Sequence, residues 1–217
     1  MDECMIGEHN VRKTIKQFMN QLDVIWIASN AHGHRKILSG ETNLSWYDDF
    51  TKFELSTNLR NTKAIVDSTL QYDETDDSLY KVGLKLPPSN FPRGQSPIHV
   101  DTLEDAMKKM RQLTNGGILI VTDSRYSDRE ALNNMGMYWK QYSKDDEEND
   151  FKEDESPYQH LMDGNVLVLL RFHLVNGFEW PNMICFEGKF GQVDYSACNF
   201  FMRCTANLII IDQKKQV

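Results

Sequence analysis

The sequence predicts an α/β domain in which a mainly parallel sheet is covered by helices on both faces. Short, fully apolar runs recur at Ile118–Val121, Val166–Leu170, Asn182–Phe186 and Asn207–Ile211. Strands buried on both faces read as continuous runs of this kind rather than as an alternation of apolar and polar residues. Amphipathic stretches with apolar residues at helical spacing lie between them, and strands alternating with such stretches imply parallel pairing through helical crossovers. The chain's 217 residues suit one domain with insertions, or two small ones.

Taken in order, residues 8–21 carry Val11, Ile15, Phe18 and Met19 on one helical face, with Leu22 continuing it, so residues 1–22 are expected to form an N-terminal helix. The rest, 23–217, is expected to form the α/β domain. Asp23–Ala28 is a β-branched apolar run that ends in the polar loop 29–34, and Lys52–Thr57 alternates as a strand does. Asn61–Leu70 reads as a helix through Ile65, Val66 and Leu70. Residues 71–96 hold four acids and Pro87, Pro88 and Pro92, which predicts a surface insertion before a short strand at Ile98–Val100. Asp101-x-x-Glu104 is close to a capping box and opens a helix that stops at Asn115-Gly-Gly117. Ser127-x-x-Glu130 caps a further helix, expected to run to about Trp139. A second insertion is expected near 141–160, and a helix near 194–203 precedes the last strand, Leu208–Ile211.

Net charge is −8, but Lys144–Glu155 alone holds eight acids against two lysines. The remainder is therefore near neutrality, which argues against a dedicated basic platform for nucleic acid and leaves room for a local basic groove. The acidic stretch itself is expected to be mobile and dispensable, with Phe151 its one large apolar residue. Four cysteines without a C-x-x-C pair predict reduced, buried thiols rather than a disulfide framework. No apolar run approaches the roughly 20 residues of a membrane span, and Met1-Asp-Glu-Cys4 has no signal-peptide character. An intracellular protein of cytoplasm or nucleus, without a membrane partner, is expected.

Complete catalytic motifs are missing. A P-loop needs G-x-x-x-x-G-K-[S/T] to supply phosphate-binding amides and a lysine. Gly188-Lys189 has neither the earlier glycine nor the following hydroxyl. The His32-Gly-His34 pair lacks a third ligand by spacing, so no metal site is expected. Ligands of parallel sheets sit beyond the strands' carboxyl ends, which directs attention to loops 29–34, 57–61, 122–130, 172–181 and 187–196.

Three segments gain meaning from their order. Thr57-Asn-Leu-Arg60-Asn-Thr62 lies where a strand turns into a helix, Phe172-His173-Leu-Val-Asn176-Gly177-Phe-Glu179-Trp180 follows another strand, and Phe201-Met-Arg203-Cys-Thr205 precedes the last one. In this order they resemble the second RecA-like domain of superfamily 1 helicases, including the divergent helicase-like regions of schlafen-type proteins. That family opens the domain with N-[Y/L]-R-[N/S], continues with H-x-x-K-G-x-E and closes with [S/T]-R-A before an apolar strand. Trp26–Gly33 is similar to the strand and loop that end the family's first domain. The resemblance covers about residues 22–212. Asn176 stands where the family has lysine, and Met202 where it has a small hydroxyl residue.

The resemblance implies a RecA-like domain of P-loop-NTPase type without the P-loop. Arg60 and Arg203 would be its catalytic residues, reaching a transferred phosphoryl group across a cleft. Gly177 and Glu179 would contact the nucleotide, and His173 and Asn176 would face nucleic acid. ATP and Mg would bind only once a P-loop domain, in cis or in trans, completes the cleft. The isolated chain would have no cofactor and no activity. The partners implied are that domain and single-stranded nucleic acid. The competing expectation is a degenerate, non-catalytic interaction module in which the same arginines form ion pairs with Glu54 or Glu179.

Overall fold

A computed structural model describes residues 57–69, 86–122, 127–143, 149–170, 178–187 and 200–212. The chain divides into two compact units, Met1–Asn58 with Asp76–Lys85, and Leu59–Thr75 with Leu86–Val217. The expected helix at 8–21, the strand at 23–28, the loop at 29–34, the strand residues 52–56 and most of the first insertion lie outside the described residues.

All the described helices and strands belong to the second unit. In chain order they are α1 (Lys63–Thr69), β1 (Ile98–Val100), α2 (Leu103–Leu113), β2 (Ile118–Thr122), α3 (Ser127–Asn134), β3 (Trp139–Tyr142), α4 (Pro157–Met162), β4 (Val166–Leu170), β5 (Trp180–Glu187) and β6 (Cys204–Asp212). The six strands form one sheet in the order β1-β6-β5-β2-β4-β3. Every pairing in it is parallel. The expected α/β architecture is therefore present.

Alternation along the strands separates two apolar layers. Leu119, Val121, Leu167, Leu169, Met183, Cys185, Leu208 and Ile210 meet Ile65 of α1 and Leu161 of α4, with Phe151, Phe178 and Phe201. Ile118, Ile120, Val166, Val168, Ile184, Ile209 and Ile211 meet Leu103, Ala106, Met107 and Met110 of α2 and Leu132 of α3. Helices thus cover both faces, and residues such as Leu119, Ile120 and Leu167 are sealed from solvent. Burying side chains of this size contributes about 1.5–3 kcal/mol each, which is why such strands carry no polar alternation.

Local chemistry sets the boundaries. The N-cap of α2 is Thr102, one residue after the expected Asp101; its hydroxyl accepts from the Asp105 amide at 3.1 Å. Helix α3 stops at Asn134 rather than near Trp139, because Gly136 adopts φ 63° and turns the chain into β3. Trp139 is then a strand residue, paired with Val166, and its indole donates to Asn133 Oδ1 at 3.0 Å.

Two elements have no counterpart among the sequence expectations. Strand β3 is a sheet edge with only Gln141 buried. Helix α4 begins at Ser156, whose hydroxyl accepts from the Gln159 amide, with Pro157 in its first turn. Part of the acidic segment also belongs to the fold. Phe151 is buried among core residues, Asp150 accepts from the Gln141 amide at 2.7 Å, and Glu155 pairs with Lys140. Dispensability of the whole stretch fails at Phe151, because a buried aromatic ring is part of the core.

Candidate functional site

The site is built at the amino edge of the sheet, where β5 and β6 begin side by side. Trp180 pairs with Cys204, and the Trp180 amide donates to the Arg203 carbonyl at 3.1 Å. The residues just before these strands, Glu179 and Arg203, therefore become neighbours through register alone. Beyond this point Thr205 and Ala206 of β6 stand against the single residue Pro181 of β5, a bulge at a proline that has no amide hydrogen for the ladder. The Trp180 indole donates to the Gly117 carbonyl at 2.8 Å and fixes the start of β5 against β2. Gly117 must be glycine, because a Cβ there would meet the Leu161 carbonyl oxygen at 2.0 Å.

Arg60 reaches this edge from a distant part of the chain. Its neighbour Asn61 is almost fully buried, and the Asn61 amide donates to the carbonyls of Met202 and Cys204, each at 2.7 Å. The start of α1 is held independently. The Lys63 and Ala64 amides donate to the carbonyls of Pro92 and Arg93 at 3.1 and 2.7 Å, which satisfies amides that a helix start leaves without internal partners. Gly94, at φ 69°, passes so close to Thr62 that a Cβ would lie 2.3 Å from the threonine Cβ. The described part of the proline-rich stretch, residues 86–96, is mostly exposed, as expected of a surface insertion, and packs on the start of α1 through Pro92, Arg93 and Gly94.

The two arginines and the glutamate converge. Arg60 Nη1 lies 2.8 Å from Glu179 Oε1, and Arg203 Nη1 lies 3.9 Å from the same oxygen. Side-chain exposure is 55% for Arg60, 29% for Glu179 and 20% for Arg203. The outermost arginine is thus largely solvated while the inner one is packed, so the Arg60 pair contributes only about 0–1 kcal/mol.

An aromatic group not singled out from the sequence adjoins them. The Tyr158 ring of α4 stacks on Phe178, the residue before Glu179, with centroids 4.6 Å apart and planes 15° apart. Trp180 stands 6.4 Å from Tyr158. Phe178 is buried, whereas Tyr158 keeps 40% of its surface exposed. Burial pushes the Tyr158 phenol above its ordinary value. The Glu179 backbone amide and Arg203 oppose this, and the Glu179 carboxylate adds to it. Tyr158 is not among the sequence candidates because its helix is short and follows a run of charge; Ser156-Pro157 was the signal available.

Of the sequence candidates, Arg60, Glu179 and Arg203 are brought together. Gly177, His173 and Asn176 lie outside the described residues. The cluster differs from expectation in its position, since Glu179 and Arg203 precede their strands and so lie at amino ends, not carboxyl ends. Among the described residues no group of three or more His, Cys, Asp or Glu side chains could hold a metal ion, and no helix is long and apolar enough to cross a membrane. No protein-family model, no curated protein and no solved structure matches the chain.

Proposed function

We propose that the chain is a divergent second RecA-like domain of the superfamily 1 helicase type, which completes an ATP cleft with a separate P-loop domain. Arg60 and Arg203 reach the phosphates, and Glu179 contacts the nucleotide and couples the cleft to the bound strand. One observation carries this reading. Two arginines separated by most of the chain lie against one carboxylate, as the order of their motifs would have it, although at the amino edge of the sheet rather than the expected carboxyl edge.

The chemistry is consistent with that role. Phosphoryl transfer spreads charge over the equatorial oxygens, and guanidinium groups held by the fold neutralise it without reorganising. Arg203 is held by the β5–β6 register and Arg60 by the Asn61 bonds. The chain contains no complete P-loop sequence, so the isolated chain is expected to lack ATPase activity. Single-stranded nucleic acid belongs to the proposal as the second ligand of the assembled protein.

The non-catalytic interaction module is favoured by the 2.8 Å Arg60–Glu179 pair, which accounts for Arg60 as a surface ion pair. Turnover by an assembly of the chain with a P-loop domain separates the two readings. Arg203→Ala and Arg60→Ala should each lower ATP hydrolysis, by a factor on the order of 10³ for an arginine finger, while thermal unfolding of the Arg60 variant stays unchanged. Unchanged turnover in both variants would refute the cleft and leave the interaction module.

A further inference from the structure

We infer that Ser96 is a phosphorylation site, carried by the segment that packs on the start of α1. It lies in the run Pro92-Arg93-Gly94-Gln95-Ser96-Pro97. Residues 92–96 are exposed and belong to no helix or strand. Pro97 favours extended backbone at Ser96, because its ring clashes with a helical residue before it. Among the described residues the Ser96 hydroxyl has no hydrogen-bond partner and the Arg93 guanidinium has no ion pair. Acceptor and cation are thus both open to an incoming protein, whatever Arg60 and Arg203 bind.

These residues fit one class of enzyme, a proline-directed protein kinase that reads an arginine three residues before its acceptor. Arginine gives a carboxylate-lined groove a bidentate, charge-assisted contact. Proline carries no N–H, so a groove closed over it leaves no donor without a partner. In the transfer the γ-phosphoryl group of ATP passes to Ser96 Oγ. A new P–O bond forms there, the bridging β–γ P–O bond breaks, ADP leaves, and the hydroxyl proton goes to the kinase's catalytic carboxylate.

The chain has a second Ser-Pro pair, Ser156-Pro157, and the two differ in structure. The Ser156 hydroxyl is committed to the Gln159 amide as the cap of α4. Glu153 stands three residues before it, where such a kinase reads a cation, and Glu153, Asp154 and Glu155 repel an added phosphate. Leu86–Val100 holds no acid, so a phosphate of about −1.5 to −2 charge on Ser96 meets Arg93 instead of like charge. The Pro92 and Arg93 carbonyls accept from the Lys63 and Ala64 amides, which places that charge at the support of the helix that follows Arg60.

The test incubates the full chain with ATP, magnesium and a purified kinase of this class, and mass spectrometry of the digested chain locates the phosphate. A single phosphate at Ser96 is expected, lost in Ser96→Ala and kept in Ser156→Ala. Arg93→Ala removes an exposed side chain without an ion pair and should lower kcat/KM for the transfer about tenfold or more. An unmodified wild-type chain, equal incorporation into Ser96→Ala, or phosphate at Ser156 instead would overturn the site, and an Arg93→Ala chain modified as fast as wild type would overturn the kinase class. In isotope-edited NMR of the modified chain the Lys63 and Ala64 amide signals should move, because their acceptors lie on this segment. Unmoved signals would overturn the placement of the phosphate at the start of α1.

Discussion

Replacing Asn61 by alanine removes a buried polar side chain that ties the Arg60 turn to the start of β6 through two bonds. Its amide donates to the Met202 and Cys204 carbonyls at 2.7 Å each, and the residue is 1% exposed, so water cannot substitute for it. A donor withdrawn from a buried acceptor costs about 1–3 kcal/mol. With two acceptors affected, Asn61→Ala should lose roughly 2–6 kcal/mol, a large share of the 5–15 kcal/mol that holds a typical domain. Asn61→Asp should be at least as severe, since it sets a carboxylate oxygen in place of Nδ2 against both carbonyl oxygens. Urea unfolding followed by circular dichroism measures both, with the midpoint shifting at constant slope. Arg60→Ala serves as the control and should change stability by less than about 1 kcal/mol. An Asn61→Ala variant within about 0.5 kcal/mol of wild type would show that the two bonds do not hold the turn, and would refute the account of how Arg60 is positioned.

Other outcomes are expected from the same structure. Phe151→Ala should cost about 3–5 kcal/mol in urea unfolding, because the ring is buried between Tyr142 and His160. Cys204 is sealed in the core and burial pushes its thiol up to about 12. In a Cys4→Ser, Cys198→Ser background, Cys185 and Cys204 should therefore resist a thiol reagent at pH 8 until the chain is unfolded. For Lys140 and Glu155, the mutual side-chain hydrogen bond is the largest cause of both shifts, raising the lysine and lowering the glutamate. Their coupling should be full between the ordinary values of 4.5 and 10.5. It should be lost as pH falls through the lowered glutamate value or rises through the raised lysine value. A double-mutant cycle at pH 7 and again in strong acid reads this directly.

Central strands β2 and β4 are legible because complete burial leaves an uninterrupted apolar run, and their bounds follow the pattern closely. Edge strand β3 is not, because Trp139-Lys-Gln-Tyr142 is only partly buried and continues a helical pattern until Gly136 breaks it. Strand β6 starts four residues ahead of the expected Leu208, since Cys204–Asn207 is polar enough to look like loop, although its backbone pairs with β5. Arg60, Glu179 and Arg203 can be singled out by the order of their motifs. Their meeting depends on long-range features: the Trp180–Cys204 register and the side chain of Asn61. Tyr158 is invisible for the same reason, because a stack on a residue twenty positions away leaves no local period.

The three converging residues do not inform the functional reading equally. Adjacent parallel strands oblige the residues that precede them to lie close, so contact between Glu179 and Arg203 would arise in any domain with this register. Arg60 has no such obligation. It stands outside the β5–β6 ladder, its ion pair is half solvated, and that pair is worth too little to position it. What brings it to the edge is a buried amide committed to two carbonyls and a helix start held by Pro92 and Arg93. Buried interactions therefore hold the turn that presents this half-exposed guanidinium group. Those bonds fix the turn whichever residue stands at 60, so stability of the Arg60→Ala variant reads only the ion pair, and its turnover in an assembly with a P-loop domain is what tests the proposed phosphate contact.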